Sequence, residues 1–246
     1  MVWRVKPLSV DPHRSKGAAS QAVSVIPDAV RLFLDRAAAW HVNEPWTAGE
    51  SDCIERICKR LDGIPLAIEL AAARTRALPA QEVENQLANR FQILGSGSRS
   101  LPKRLQRLAA MVDWSYDLLS EPEQRLFRRL SIFAGSWSLQ AAEQVCVWDG
   151  LDDKNIADLH ARLIDKSLVV VENSPEEARF RMLETLREYA LAKLDLHGER
   201  QVQHRRHADF FVRLSENAEA GGMLARQRQS FARLRRERDN LRAALR

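Results

Sequence analysis

The chain has 246 residues, 45% of them apolar and 29% charged, enough for two small domains with packed cores and part of a third. Its formal net charge is +5. Residues 199–246 alone carry 12 Arg against 6 acidic residues, so the basic excess belongs to the tail and the rest sits near −1. No run of about 18 apolar residues occurs, so neither a membrane span nor a membrane partner is expected. The first residues lack the zones of a secretory signal. The sparse cysteines Cys53, Cys58 and Cys146 read as reduced thiols of a cytoplasmic protein.

Residues 1–27 look irregular and are punctuated by Pro7, Pro12 and Pro27, with Val2–Val5 compatible with one unpartnered strand. Helical periodicity begins at Asp28, with Val30, Phe33, Leu34 and Ala37 on one face. Ile54, Ile57, Cys58 and Leu61 mark a second helix that ends at Gly63. Pro65 then starts a third, rich in Ala and Leu and poor in charge, which predicts burial. Pro79 opens a fourth, with Val83, Leu87 and Phe91 inward. The group spans about 28–95, and Gly95-Ser96-Gly97-Ser98 reads as a linker.

A second group begins near Leu101, where Leu105, Leu108, Met111, Val112 and Tyr116 form a stripe. Ser120 and Glu123 form a capping box ahead of Leu126, Phe127 and Leu130, and Ser138 offers another helix start. Ile156, Leu159, Leu163 and Ile164 mark a further helix. The period then changes: 167–172 reads as a strand, 173–176 as a turn, 179–182 as the returning strand, and 184–196 as a long helix. Helices followed by a β-hairpin give the order of a winged helix-turn-helix. After Gly198, one helix is striped by Ala208, Phe211 and Leu214 and another by Phe231, Leu234, Leu241 and Leu245, with Gly221-Gly222 between them. This hairpin suggests the first member of a helical repeat array. The expected fold is therefore mainly α: a four-helix bundle, a winged helix-turn-helix with a small β-hairpin, then a helical hairpin.

Were the winged helix to read DNA, the helix over 156–166 would be the reader and His160, Arg162 and Lys166 its exposed contacts. Asp158 and Asp165 dilute that charge, so an internal regulatory use of the fold weighs more. Arg226, Arg228, Arg233, Arg235, Arg236 and Arg238 could grip nucleic acid or an acidic partner. The plainer reading is a solvated helix face on which Glu237 and Asp239 offer helical pairs. His204 and His207, with His197 upstream, lack a third metal ligand, and Arg205 and Arg206 disfavour a cation, so no metal is expected. No G-x-S-x-G occurs, and none of the ten glycines belongs to a G-x-x-x-x-G-K-[ST] phosphate loop. No catalytic residue, enzymatic activity or cofactor is expected of this chain alone.

Several stretches in fixed order resemble the NB-ARC-type (STAND) nucleotide-binding switch proteins, in the bacterial branch that accompanies transcriptional regulators. They are Val2–Ser9 with Ala29–Phe33; Leu61–Arg74, a GLPLA-type helix with Ile64 in place of Leu; Asp113–Leu119 with Glu123–Phe133; Leu163–Leu168; Arg179–Ala190; and Asp239–Leu245. The resemblance implies that 1–27 is the exit from a nucleotide-binding core, 28–98 a helical lid, 101–197 a winged-helix domain and 199–246 the start of TPR-like repeats. It implies that Gly63, Ile64, Pro65 and Leu66 are a vestigial wall of a nucleotide pocket. It also places Met182-Leu183-Glu184 at a nucleotide-sensing Met-His-Asp triplet, with Leu183 replacing the His and Glu184 keeping a carboxylate. The expected function is that of a regulatory fragment of an ATP-binding signalling protein, a transcriptional regulator, that senses ATP or ADP on an upstream P-loop domain and meets protein partners through its repeats. The alternatives are a winged-helix factor that binds DNA directly and a protein-binding scaffold.

Overall fold

The structure, a computed structural model, describes residues 7–11, 26–38, 41, 46–94, 103–152, 155–172, 177–219 and 234–245. The chain divides into two units, 1–118 and 119–246. The expected strand Val2–Val5, the linker 95–98, the wing turn 173–176, the Phe91 side chain, the Gly221-Gly222 break and Arg226–Arg233 lie outside the described residues.

The first unit contains α1 (Asp28–Ala37), α2 (Ala48–Arg60), α3 (Pro65–Arg74), α4 (Ala80–Leu94) and α5 (Lys103–Asp117). Ala-rich α3 is central: α1, α2 and α5 all pack on it, and the small side chains of Ala67, Ala71, Ala72 and Ala73 allow the close approach. Ser9 stands in for a helix cap on α1, since its hydroxyl accepts the Asp28 N–H at 3.1 Å and donates to the Asp28 carboxylate at 3.0 Å. A Thr47–Glu50 capping box starts α2 earlier than the sequence stripe suggested. The Leu105–Tyr116 stripe, expected to open the winged-helix unit, lies on α5 and packs against α3 and α4 within the first unit.

The second unit runs α6 (Glu121–Leu130), β1 (Trp137–Ser138), α7 (Leu139–Cys146), α8 (Ile156–Asp165), β2 (Val170–Glu172), β3 (Arg179–Arg181), α9 (Glu184–Leu196), α10 (Arg200–Glu219) and α11 (Arg238–Ala244). Its antiparallel sheet has the order β1-β3-β2, with Phe180 opposite Trp137 on one side and Val171 on the other. Phe127, Leu130, Phe133, Trp137, Leu163, Leu186 and Phe211 are its buried centre. The fold is thus mainly helical, as the sequence led one to expect, and the expected β-hairpin is part of a three-stranded sheet. The strand β1 is additional. Its Ser138 also caps α7 by accepting the Ala141 N–H at 3.2 Å.

Expected to open the terminal helical hairpin, α10 packs on α11 and also on α7 and α9, and it buries Gln203, His207 and Phe211. Arg206 of α10 closes the C-terminal end of α7 by donating to the carbonyls of Gln144, Val145 and Val147. Glu199, just before α10, accepts from Arg128 and Arg129 of α6, whose side chains are only 4% and 0% exposed. No helix among the described residues is long and apolar enough to cross a membrane.

Candidate functional site

In the second unit α7 and α8 are the helix pair and β2–β3 the wing, so α8 occupies the position of a groove reader. Its inward stripe is Ile156, Leu159, His160 and Leu163. This corrects the expectation for His160, which is 2% exposed. Its Nε2 accepts the Trp137 indole N–H at 3.0 Å, and its ring meets Phe180 edge-on at 4.2 Å. Burial lowers its pKa to about 4, so it is a neutral core residue that brings no cation to a phosphate.

Lys166, just past the end of α8, is also committed. Its ammonium donates to both Glu123 oxygens at 2.7 Å, which ties α8 to the first turn of α6. Burial pushes the Glu123 carboxyl up, but the bonds from Lys166 and from the Ser120 N–H outweigh it and hold the group below its usual value. Of the three candidate DNA contacts, Arg162 is exposed on the outer face, where Ala157, Asp158 and Ala161 are also exposed. Asp165 is half-buried beyond it. One guanidinium between two aspartates gives this face no net attraction for a polyanion. The chain leaves α8 through Ser167, at φ 58°, which turns it into β2.

Arg181 pairs with Glu172 across the wing strands at 3.2 Å. Met182 is buried beneath the wing, Leu183 is the N-cap residue of α9, and Glu184 is exposed and paired with Arg187 at 2.6 Å. That hydrogen bond lowers the Glu184 pKa. The structure brings Met182 and Glu184 into one depression of about 300 Å³, together with Arg181, Arg187, Arg236 and Asn240.

In the first unit Gly63 has φ 63°, and its carbonyl accepts the Leu8 N–H at 3.0 Å. A Cβ there would lie 2.2 Å from the Leu8 carbonyl oxygen, so both the conformation and the approach of segment 7–11 require glycine. Ile64 is buried as the N-cap residue of α3, Pro65 is exposed at N1 and Leu66 is half-buried. Among the described residues no side chain caps this helix start.

Residues that sequence reasoning missed are Glu237, expected to offer a helical pair on a solvated face, and Asn240, given no role of its own; both are buried against the wing. All three cysteines are buried free thiols, with the thiols of Cys58 and Cys146 pushed by burial up to about 12. Among the described residues no cluster of His, Cys, Asp and Glu could hold a metal ion.

This arrangement is that of a winged helix-turn-helix domain, and residues 119–195 match a family model of that description. Over 223 residues, 91% of its length, the chain is 42% identical to the "Putative HTH-type transcriptional regulator Rv0890c" of Mycobacterium tuberculosis (strain H37Rv) and to the "Putative HTH-type transcriptional regulator Mb0914c" of Mycobacterium bovis, covering 25% of each. It is 38% identical over 204 residues to the "Uncharacterized protein Rv0894" of Mycobacterium tuberculosis, covering 47% of it. The chain thus spans about a quarter of the first two relatives and about half of the third.

Proposed function

We propose that the chain is a regulatory segment of an HTH-type transcriptional regulator, and that its winged helix faces protein rather than duplex DNA. The observation that carries this is the outer face of α8: His160 is in the core, Lys166 is bound to Glu123, and Arg162 stands between acidic neighbours. In this reading the first unit is the lid over a nucleotide held by a P-loop domain, and the second unit passes the nucleotide state onward. Two local features support that half of the reading. Among the described residues no side chain caps the start of α3, and Met182 and Glu184 share a depression with Arg181 and Arg187, which are paired with Glu172 and Glu184.

The test is hydrogen exchange of the full chain with and without duplex DNA at about 50 mM salt, beside calorimetry with ATP and ADP. The reading requires α8 amides unchanged by duplex and no heat from nucleotide alone. Protection of α8 by duplex would establish the second reading, direct groove binding, which the similarity to putative HTH-type transcriptional regulators and the exposure of Arg162 favour. Micromolar ATP or ADP binding by this chain would overturn the requirement for a separate phosphate-holding domain.

A further inference from the structure

The helix α11 buries one of its own residues, Asn240, and the residue that precedes it, Glu237, is buried too. Its apolar residues are not: Leu241 is half-buried, and Leu245 just beyond is 85% exposed. The two buried polar groups meet the base of the wing. The Glu237 carboxylate accepts from the Arg179 guanidinium of β3, and both side chains are almost fully enclosed. Arg179 also donates to the Ser136 carbonyl at 2.8 Å and to the Ser136 hydroxyl at 3.3 Å. The Asn240 side-chain oxygen accepts the Ala134 N–H at 2.9 Å. Its amide donates to the Ser136 carbonyl at 2.9 Å and to Glu237 at 2.8 Å. Ala134, Ser136 and Arg179 therefore read a carboxylate and a carboxamide three positions apart on one helical turn.

We propose that this clasp is an exchangeable docking site for a helical segment bearing an acidic residue and an Asn three positions later, occupied here by the chain's own Glu237 and Asn240. The inference rests on the protein-facing reading only in naming a protein segment as the occupant. Apolar transfer contributes only part of the docking of α11: Leu241, Ala243 and Ala244 are half-buried where the helix packs on α10, while Leu245 stays in water. When α11 leaves, Arg179, Glu237 and Asn240 regain hydration instead of remaining buried and unpaired. The desolvation that opposes a buried pair is recovered, and release is cheap. The contrast is Glu199: its loss would strand Arg128 and Arg129, which α6 and the loop after α7 keep enclosed.

Two measurements on the full chain test this. In wild-type protein, hydrogen exchange across a urea series should show the α11 amides and the Ala134 amide opening together, with a much smaller urea dependence than global unfolding. The α6, α8 and α9 amides should open only with the whole unit. Second, a labelled peptide of residues 234–245 should bind a chain carrying Glu237→Gln and Asn240→Ala at least about tenfold more tightly than it binds wild type, whose own clasp competes at high effective concentration. Adding Arg179→Gln should abolish that gain. Opening of α11 only by global unfolding would overturn the proposal, and it does so even where the variant fails to fold. Equal peptide binding by variant and wild type would overturn it as well. Protection of α8 by duplex would sink the protein-facing reading and leave both of these results standing.

Discussion

Replacing Lys166 by Met asks whether that ammonium belongs to the fold or to a ligand. In the structure it bridges to a Glu123 side chain that is 3% exposed, while Lys166 itself is 26% exposed. Removing one partner of a fully buried pair costs about 3–5 kcal/mol, because the other charge is left behind. Here water reaches the lysine side, and the Ser120 N–H still bonds Glu123 at 2.7 Å. The expected loss at pH 7 is therefore about 2–3 kcal/mol. It should shrink only as pH falls below the unfolded carboxylate value of 4.5 and through the lower folded one. The folded-state pKa of Glu123 is depressed, so the wild-type pair contributes above the unfolded carboxylate value and loses that contribution on protonation, whereas the variant lacks the lysine's share of it. Hydrogen exchange of α6 and α8 amides reads the second unit alone, and a double-mutant cycle with Glu123→Gln should give a coupling of at least about 1 kcal/mol. A Lys166→Met effect within about 0.5 kcal/mol, with no coupling, would refute the reasoning and return Lys166 to the set of free cations.

Glu199→Ala should destabilise the second unit by about 3–5 kcal/mol in the same exchange assay, since Arg128 and Arg129 would remain enclosed without their carboxylate. Gly63→Ala should cost the first unit about 2 kcal/mol or more in urea unfolding, because the left-handed backbone and the 2.2 Å approach to the Leu8 carbonyl act together. His160 and His207 are both held by burial at about 4, against 6.5 unfolded, so each contributes stability above pH 6.5 that is lost as pH falls toward 4. The second unit should lose about 2 kcal/mol per pH unit near pH 5, read by exchange or urea midpoints, and a flat profile between pH 6.5 and 5 would contradict the burial.

Much of the second unit was legible because its local signals are strong. The Ser120–Glu123 capping box forms as read, and the change of period after Ser167 does mark the wing. The side chains of α8 were harder. His160 lies four residues after Ile156 and three before Leu163, so the helical stripe itself holds the signal that it faces inward. Reading it by polarity alone placed it outside. Glu237 and Asn240 gave no such signal: their partners Arg179, Ala134 and Ser136 are about 60 to 100 residues away in sequence, and neither composition nor period encodes a contact at that distance. The two-residue strand β1 is set by its pairing with β3 rather than by its own pattern. The Leu105–Tyr116 stripe was seen, but an apolar stripe says that a face is buried and not against what. The Gly63 turn was legible in part: the sequence ends the second helix at a glycine ahead of Pro65, and the four residues between α2 and α3 include two at positive φ, Asp62 and Gly63.

The account turns on whether the outer face of α8 contacts DNA, and Arg162 decides it. Anisotropy titrations of a labelled duplex across about 50–200 mM salt should give the same affinity and the same salt slope for wild type, Arg162→Ala and Arg162→Glu, whatever the basic tail contributes. A slope that drops by about 1 in Arg162→Ala, with a further loss of affinity in Arg162→Glu, would show α8 seated on phosphate and contradict the protein-facing winged helix.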